Sequence, residues 1–136
     1  MDDLIEAYKA TDYLVPEFDL CIKIDQLSRD LNDLCESRKI SSWVFITAFN
    51  PQSKLLDLED NQERNTALEN DIKDYDFYHA LGKPHDQKWP VEESFFIINI
   101  NLEQALLLAK KYQQNAIVFG LQNSEAKLIL NKDFKI

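Results

Sequence analysis

Asn61, Arg64 and Asn65 place two side-chain amides and a guanidinium within one short stretch of sequence. Leu58, Leu68 and Ile72 mark the inward stripe of the helix that carries them, and helical spacing puts positions 61 and 65 on that stripe. A buried amide left without a partner costs about 1–3 kcal/mol, so each asparagine needs a hydrogen-bond partner. Two segments are placed to supply one. The first is the strand end at Thr47, Asn50 and Pro51. The second is Trp89-Pro90-Val91-Glu92-Glu93-Ser94. Arg64 facing Glu92 or Glu93 would form a charge-assisted pair. The chemistry expected of this set is a small polar pocket. Arg64 would bind an anion or carboxylate, and Asn50, Asn61 and Asn65 would give directional hydrogen bonds. Glu92 or Glu93 would act as acid or base, and Trp89 would cap the pocket. The competing expectation is structural: asparagines near a helix start tie down loops, and an Arg–Glu pair braces two elements.

Other chemistry has weaker support. His79 and His85 with Asp86, Glu92 or Glu93 would suit zinc or iron, but their spacing matches no known ligand motif, so no metal or cofactor is expected. There is no Gly-x-Ser-x-Gly elbow and no cysteine with a convincing histidine partner. With Gly82 and Gly120 as the only glycines, a P-loop or dinucleotide-binding fingerprint is excluded. No residue is assigned a catalytic role.

The elements that must position these residues follow from periodicity and caps. Leu4, Ile5 and Tyr8 predict a helix over residues 2–10, with Asp2 or Asp3 as cap. Tyr13-Leu14-Val15 begins a strand that Pro16 interrupts. Phe18, Leu20, Ile22 and Ile24 then alternate with polar residues as a half-buried strand. Asp25 is the expected cap of a second helix with Leu27, Leu31, Leu34 and Cys35 on its apolar stripe. Trp43 to Ala48 follows as a buried strand, and Asn-Pro ends it in a turn. This strand–helix–strand order is a βαβ signal, which predicts parallel pairing. A third helix from Leu58 to Lys73 has Asp57 as cap. Phe77 to Ala80 reads as a strand, Gly82 to Pro90 as a loop and Ser94 to Ile100 as a strand. Asn101 with Gln104 caps a helix over 102–112. Asn115–Phe119 and Ala126–Leu130 are the last strands, joined by a hairpin at Gly120 to Asn123. The fold class expected is α+β, or α/β: residues 1–136 as one domain, with a mixed sheet of five or six strands and three to four packed helices.

Composition bounds the function. The chain of 136 residues is 45% apolar with two glycines and four prolines, which excludes a disordered or low-complexity chain. A net charge of −9 disfavours nucleic acid as a partner. No apolar run approaches a membrane span, and the acidic start lacks a basic leader, so a cytoplasmic protein is expected. Cys21 and Cys35 read as two buried thiols in a reducing compartment.

Thr47-Ala48-Phe49-Asn50-Pro51, then Asn61-Gln62-Glu63-Arg64-Asn65 with Leu68, then Trp89 with Glu92-Glu93-Ser94, then Gln114 to Phe119 occur in a set order. In that order the chain resembles a bacterial family of unknown function, the DUF3293-like family, from Tyr13 to about Leu130. The resemblance implies a small cytosolic α/β protein and brings no activity. Two functions stand: a small-molecule-binding protein or minor enzyme with its pocket near Asn50 and Arg64, and a noncatalytic interaction module or homo-oligomer.

Overall fold

The computed structural model describes residues 2–86 and 88–131. Helix α1 (Asp2–Lys9) contains both aspartates expected as caps, and its cap position falls outside the described residues. Strand β1 (Thr11–Val15) ends where Pro16, lacking an N–H, opens a 3₁₀ turn over Pro16–Phe18. That turn shortens the strand expected over 18–24 to β2 (Leu20–Ile22). Helix α2 (Arg29–Arg38) is capped by Ser28, whose Oγ accepts the Leu31 N–H at 3.1 Å. Asp25, the expected cap, lies in a left-handed conformation ahead of it. Leu27 is accordingly off the helix and 61% exposed, while Leu31 and Cys35 are buried.

Strand β3 (Ser42–Ile46) is buried along its whole length. Helix α3 (Leu58–Asp71) has the Asp57 cap, which accepts the Asp60 N–H at 2.9 Å. Strands β4 (Phe77–Pro84) and β5 (Glu92–Ile98) follow. Helix α4 (Leu102–Lys111) is capped by Asn101 through the Gln104 N–H at 2.8 Å. Strands β6 (Ala116–Leu121) and β7 (Lys127–Leu130) complete the order. No helix of the described residues is long and apolar enough to cross a membrane.

The sheet has seven strands in the order β2-β1-β4-β5-β3-β6-β7. Every ladder is antiparallel, which corrects both the mixed sheet of five or six strands and the parallel βαβ unit. The reason is that β2 folds back on β1, so β1, β4 and β5 separate it from β3. The loop expected over Gly82 to Pro90 starts only after Pro84, and Gly82 to Pro84 are strand instead. The register pairs Gly82 with Glu92 on one side and Tyr13 on the other, and Pro84 sits at the strand's last position, where proline is tolerated. The two outer strands curl towards each other. Ile24 and Ala126 form one parallel bridge, with the Asp25 N–H donating to the Ala126 carbonyl at 2.8 Å. The sheet is therefore a half-barrel, joined at one end and open at the other.

Alternation along the strands gives each face its own core. The concave face holds Tyr13, Ile22, Trp43, Phe45, Phe96 and Val118, with Leu31 and Cys35 of α2 packed among them. The convex face holds Val44, Phe95 and Ile97 under α3 and α4. Cys21 falls between Leu20 and Ile22 on β2, so the pleat turns it outward and it is exposed rather than buried. Gly120, expected in a hairpin, lies within β6 opposite Trp43. A Cβ there would meet the Trp43 indole at 2.4 Å, so the tryptophan occupies the space of the missing side chain.

Gly120→Ala must therefore displace a fully buried indole and is expected to cost about 1–3 kcal/mol. Urea unfolding followed by circular dichroism measures this, and an unchanged midpoint would mean that the indole shifts freely.

Candidate functional site

The site starts where the chain leaves the sheet after β3. Beyond Ile46 no neighbouring strand supplies hydrogen bonds, yet Ala48, Phe49 and Asn50 are buried. Their backbone groups need other partners. Thr47 Oγ1 accepts the Phe49 N–H at 3.0 Å and donates to the Glu93 carbonyl at 2.6 Å. Asn65 Oδ1 accepts the Ala48 N–H at 2.8 Å, and its Nδ2 donates to the Glu93 carbonyl at 2.8 Å. Asn61 Oδ1 accepts the Asn50 N–H at 2.8 Å, and its Nδ2 returns a bond to Asn50 Oδ1 at 2.8 Å. Asn50 Oδ1 also accepts the Leu56 N–H at 3.0 Å. The two asparagines expected on the inward stripe of α3 are both buried and partnered. Leu58, expected beside them, is 59% exposed in the first turn.

Arg64 does not pair with Glu92 or Glu93. Its Nε donates to the Ala48 carbonyl at 2.7 Å, and a second guanidinium nitrogen donates to the Tyr112 carbonyl. Tyr112 ends α4, where carbonyls lack helical partners and carry the negative end of the dipole. The guanidinium thus ties the strand end to that helix end. Burial lowers its pKa.

The turn after Asn50 is strained. Asn50, Gln52 and Ser53 have φ of 50°, 54° and 60°. Asparagine takes this region readily; glutamine and serine do so less readily. Hydrogen bonds hold them: the Gln52 N–H donates to the Gln113 carbonyl at 2.7 Å, and Asn115 Nδ2 donates to Ser53 Oγ at 2.9 Å.

This turn borders a cavity of about 280 Å³ at the open end of the half-barrel. Tyr8, Tyr13, Phe45 and Trp89 give it aromatic walls, and Leu4 and Ala7 of α1 cover it. Gly82 is part of its wall, and a Cβ there would fit without a clash, in ordinary contact with Glu92, Phe45 and Ser94 at 3.9 Å. Glu92 is the carboxyl group in the strand wall. Its Oε2 accepts Asn50 Nδ2 at 2.7 Å and Trp89 Nε1 at 3.3 Å. Burial raises the Glu92 pKa, and these two hydrogen bonds partly oppose the rise. Burial also raises the phenols of Tyr8 and Tyr13, so both stay protonated near neutrality. The Tyr13 hydroxyl donates to the Tyr8 carbonyl at 2.7 Å, tying α1 to the wall.

Of the residues expected at a site, Thr47, Asn50, Trp89, Glu92 and Ser94 line this cavity. Asn61, Arg64, Asn65 and Glu93 do not. Asn65 and Glu93 border a wider depression between α3 and the β4–β5 strands. Tyr8, Tyr13, Phe45 and Gly82 were not foreseen. Phe45 and Tyr13 show as alternating inward positions, but nothing local in the sequence aligns strands so distant along the chain.

Among the described residues, no group of three or more His, Cys, Asp or Glu side chains could hold a metal ion. His79 is exposed on β4, 3.9 Å from Glu69, and His85 lies 3.0 Å from Asp12.

A family model described as "Protein of unknown function (DUF3293)" matches residues 46–117. That span is narrower than the resemblance read from the sequence, yet it holds the whole strand-end network and Glu92. No curated protein and no solved structure matches the chain.

Two predictions follow from this geometry. Asn65→Ala and Arg64→Ala each leave buried backbone groups unpartnered and are expected to cost about 1–3 kcal/mol in urea unfolding. A loss below a few tenths of that would show that water replaces them. For Glu92, a raised folded pKa means that the folded state binds the proton more tightly. Wild type therefore loses stability as pH rises from below the ordinary value of 4.5 through the raised one. Glu92→Gln cannot ionise, so its stability relative to wild type should improve between pH 4 and pH 7. A pH-independent difference would contradict the shift.

Proposed function

The chain belongs to the DUF3293 family, and from that premise we propose that it binds a small organic molecule in the open end of its half-barrel. The observation that carries this reading is Glu92, a half-buried carboxyl in a cavity with aromatic and apolar walls, oriented by Asn50 and Trp89. Sites for small ligands combine an apolar enclosure with a few fixed polar groups. The volume of about 280 Å³ suits a metabolite-sized molecule of one ring or a short chain. The anion expected to sit on Arg64 is not part of the proposal, because that guanidinium is engaged on backbone carbonyls away from the cavity.

Leu55, Leu56 and Leu58 are exposed ahead of and within the first turn of α3, and they favour a second reading as an interaction surface. A concentration-dependent dimer that Leu58→Ser dissolves in sedimentation velocity would support it. A chain that stays monomeric would count against it.

The binding reading is tested with a panel of one-ring and short-chain fragments, some neutral, some cationic and some anionic. At least one is expected to raise the melting temperature by several degrees, since a hundredfold excess over Kd stabilises by about 2.7 kcal/mol. Gly82→Leu adds a side chain to the cavity wall and should abolish that shift while the free protein still folds. No shift from any fragment, or a shift that Gly82→Leu leaves intact, would overturn the proposal.

A further inference from the structure

We propose that the ligand of this cavity is an organic cation: a small aromatic or compact apolar body carrying a protonated amine that rests on the Glu92 carboxylate. The inference deepens the binding reading above and rests on it. Three observations carry it. First, among the described residues no lysine or arginine lines the cavity. Its charged or titratable acids are Glu92 and Asp86, and its one basic group, His85, already lies 3.0 Å from Asp12. An anion entering here would meet two carboxyl groups and no lysine or arginine. Second, both hydrogen bonds to the Glu92 carboxyl end on Oε2 among the described residues. A carboxylate offers lone pairs on both oxygens, so Oε1 is the natural acceptor for an ammonium donor. Third, Tyr8, Tyr13 and Trp89 line the same cavity as that carboxyl, and aromatic rings attract desolvated cations through the ring quadrupole.

Charge adds to this. A carboxylate kept in an apolar cavity is destabilised by desolvation, and a bound cation relieves that destabilisation where a neutral ligand does not. The net charge of −9 also draws cations towards the surface as a whole. Asp12 and Asp71, by contrast, are already paired with Lys23 and Lys111.

The probes are 2-phenylethylammonium chloride, 2-phenylethanol and 3-phenylpropanoate, which share one hydrocarbon body and differ in charge. Isothermal titration at pH 7.5 compares them on wild type, Glu92→Gln and Gly82→Leu. Glutamine retains an oxygen for Asn50 and Trp89, so the wall should keep its shape. The ammonium is expected to bind wild type about tenfold or more tightly than the alcohol. Glu92→Gln should erase that preference while leaving the alcohol's affinity unchanged. The ammonium's affinity should also fall as salt is raised. The cation inference is overturned if the alcohol or the propanoate binds wild type as tightly as the ammonium. It is equally overturned if Glu92→Gln keeps the preference, or if the ammonium does not bind wild type at all. In each of those cases, binding of a neutral fragment that Gly82→Leu blocks leaves the cavity reading standing. Loss of all fragment binding removes both.

Discussion

The reciprocal pair between Asn50 and Asn61 is the contact on which the site depends. A chain that leaves a sheet inside the protein carries backbone groups that neither strand nor water satisfies. The side-chain amide of Asn61 copies the strand that is missing: its oxygen takes the Asn50 N–H, and its nitrogen returns a bond to the Asn50 side chain. Asn65 does the same for Ala48 one helical turn later. Because α3 presents amides where another helix would present leucines, it holds the backbone by direction rather than by apolar area. The Asn50 side chain is thereby fixed, and its remaining donor is aimed at Glu92. The bracing network and the cavity carboxyl are thus successive links of one network, joined at Asn50.

The same economy appears in the sheet. Seven antiparallel strands curl until the outer two touch at Ile24 and Ala126, while the opposite end stays apart. Trp43 fills the interior near the joined end, and the close approach of Gly120 makes room for it. At Gly82, in the cavity wall, a Cβ would meet its neighbours only at 3.9 Å. The two glycines of the chain therefore differ: one is required by a large neighbour, and the other is not required by a close approach.

Much of the bracing was legible in the sequence, because it follows from local periodicity. Asp57 as a cap, Leu68 and Ile72 as anchors, and positions 61 and 65 as buried amides all come from helical spacing that tertiary packing did not override. The bond partners were less legible. Arg64 reaches two carbonyls whose proximity depends on where α4 ends, and no spacing within α3 encodes that. Gly82 and Pro84 carry the marks of a loop, and only the flanking strands β1 and β5 make them strand. The order of the strands was hidden for the same reason: β2 and β3 are near in sequence, but the pairing of β2 with β1 and of β3 with β5 and β6 displaced the expected crossover. The cavity, built from residues of α1, β1, β3, β4, β5 and β6, inherits that non-locality.

The single bridge between Ile24 and Ala126 joins an early segment of the chain to a late one. Such a contact restricts much of the chain before it gains a partner, and its closure entropy grows with the length enclosed. During synthesis, β1 and β2 can form their hairpin early. The segment just after β2, however, waits for its partner at Ile24 until the segment around Ala126 has been made. For that interval the half-barrel is an open sheet with an unpaired edge, and unpaired edges are templates for other strands. β2 is only three residues long, which leaves such a template little to pair with. Its shortness, set by the turn at Pro16, protects the nascent chain as well as shaping the finished one.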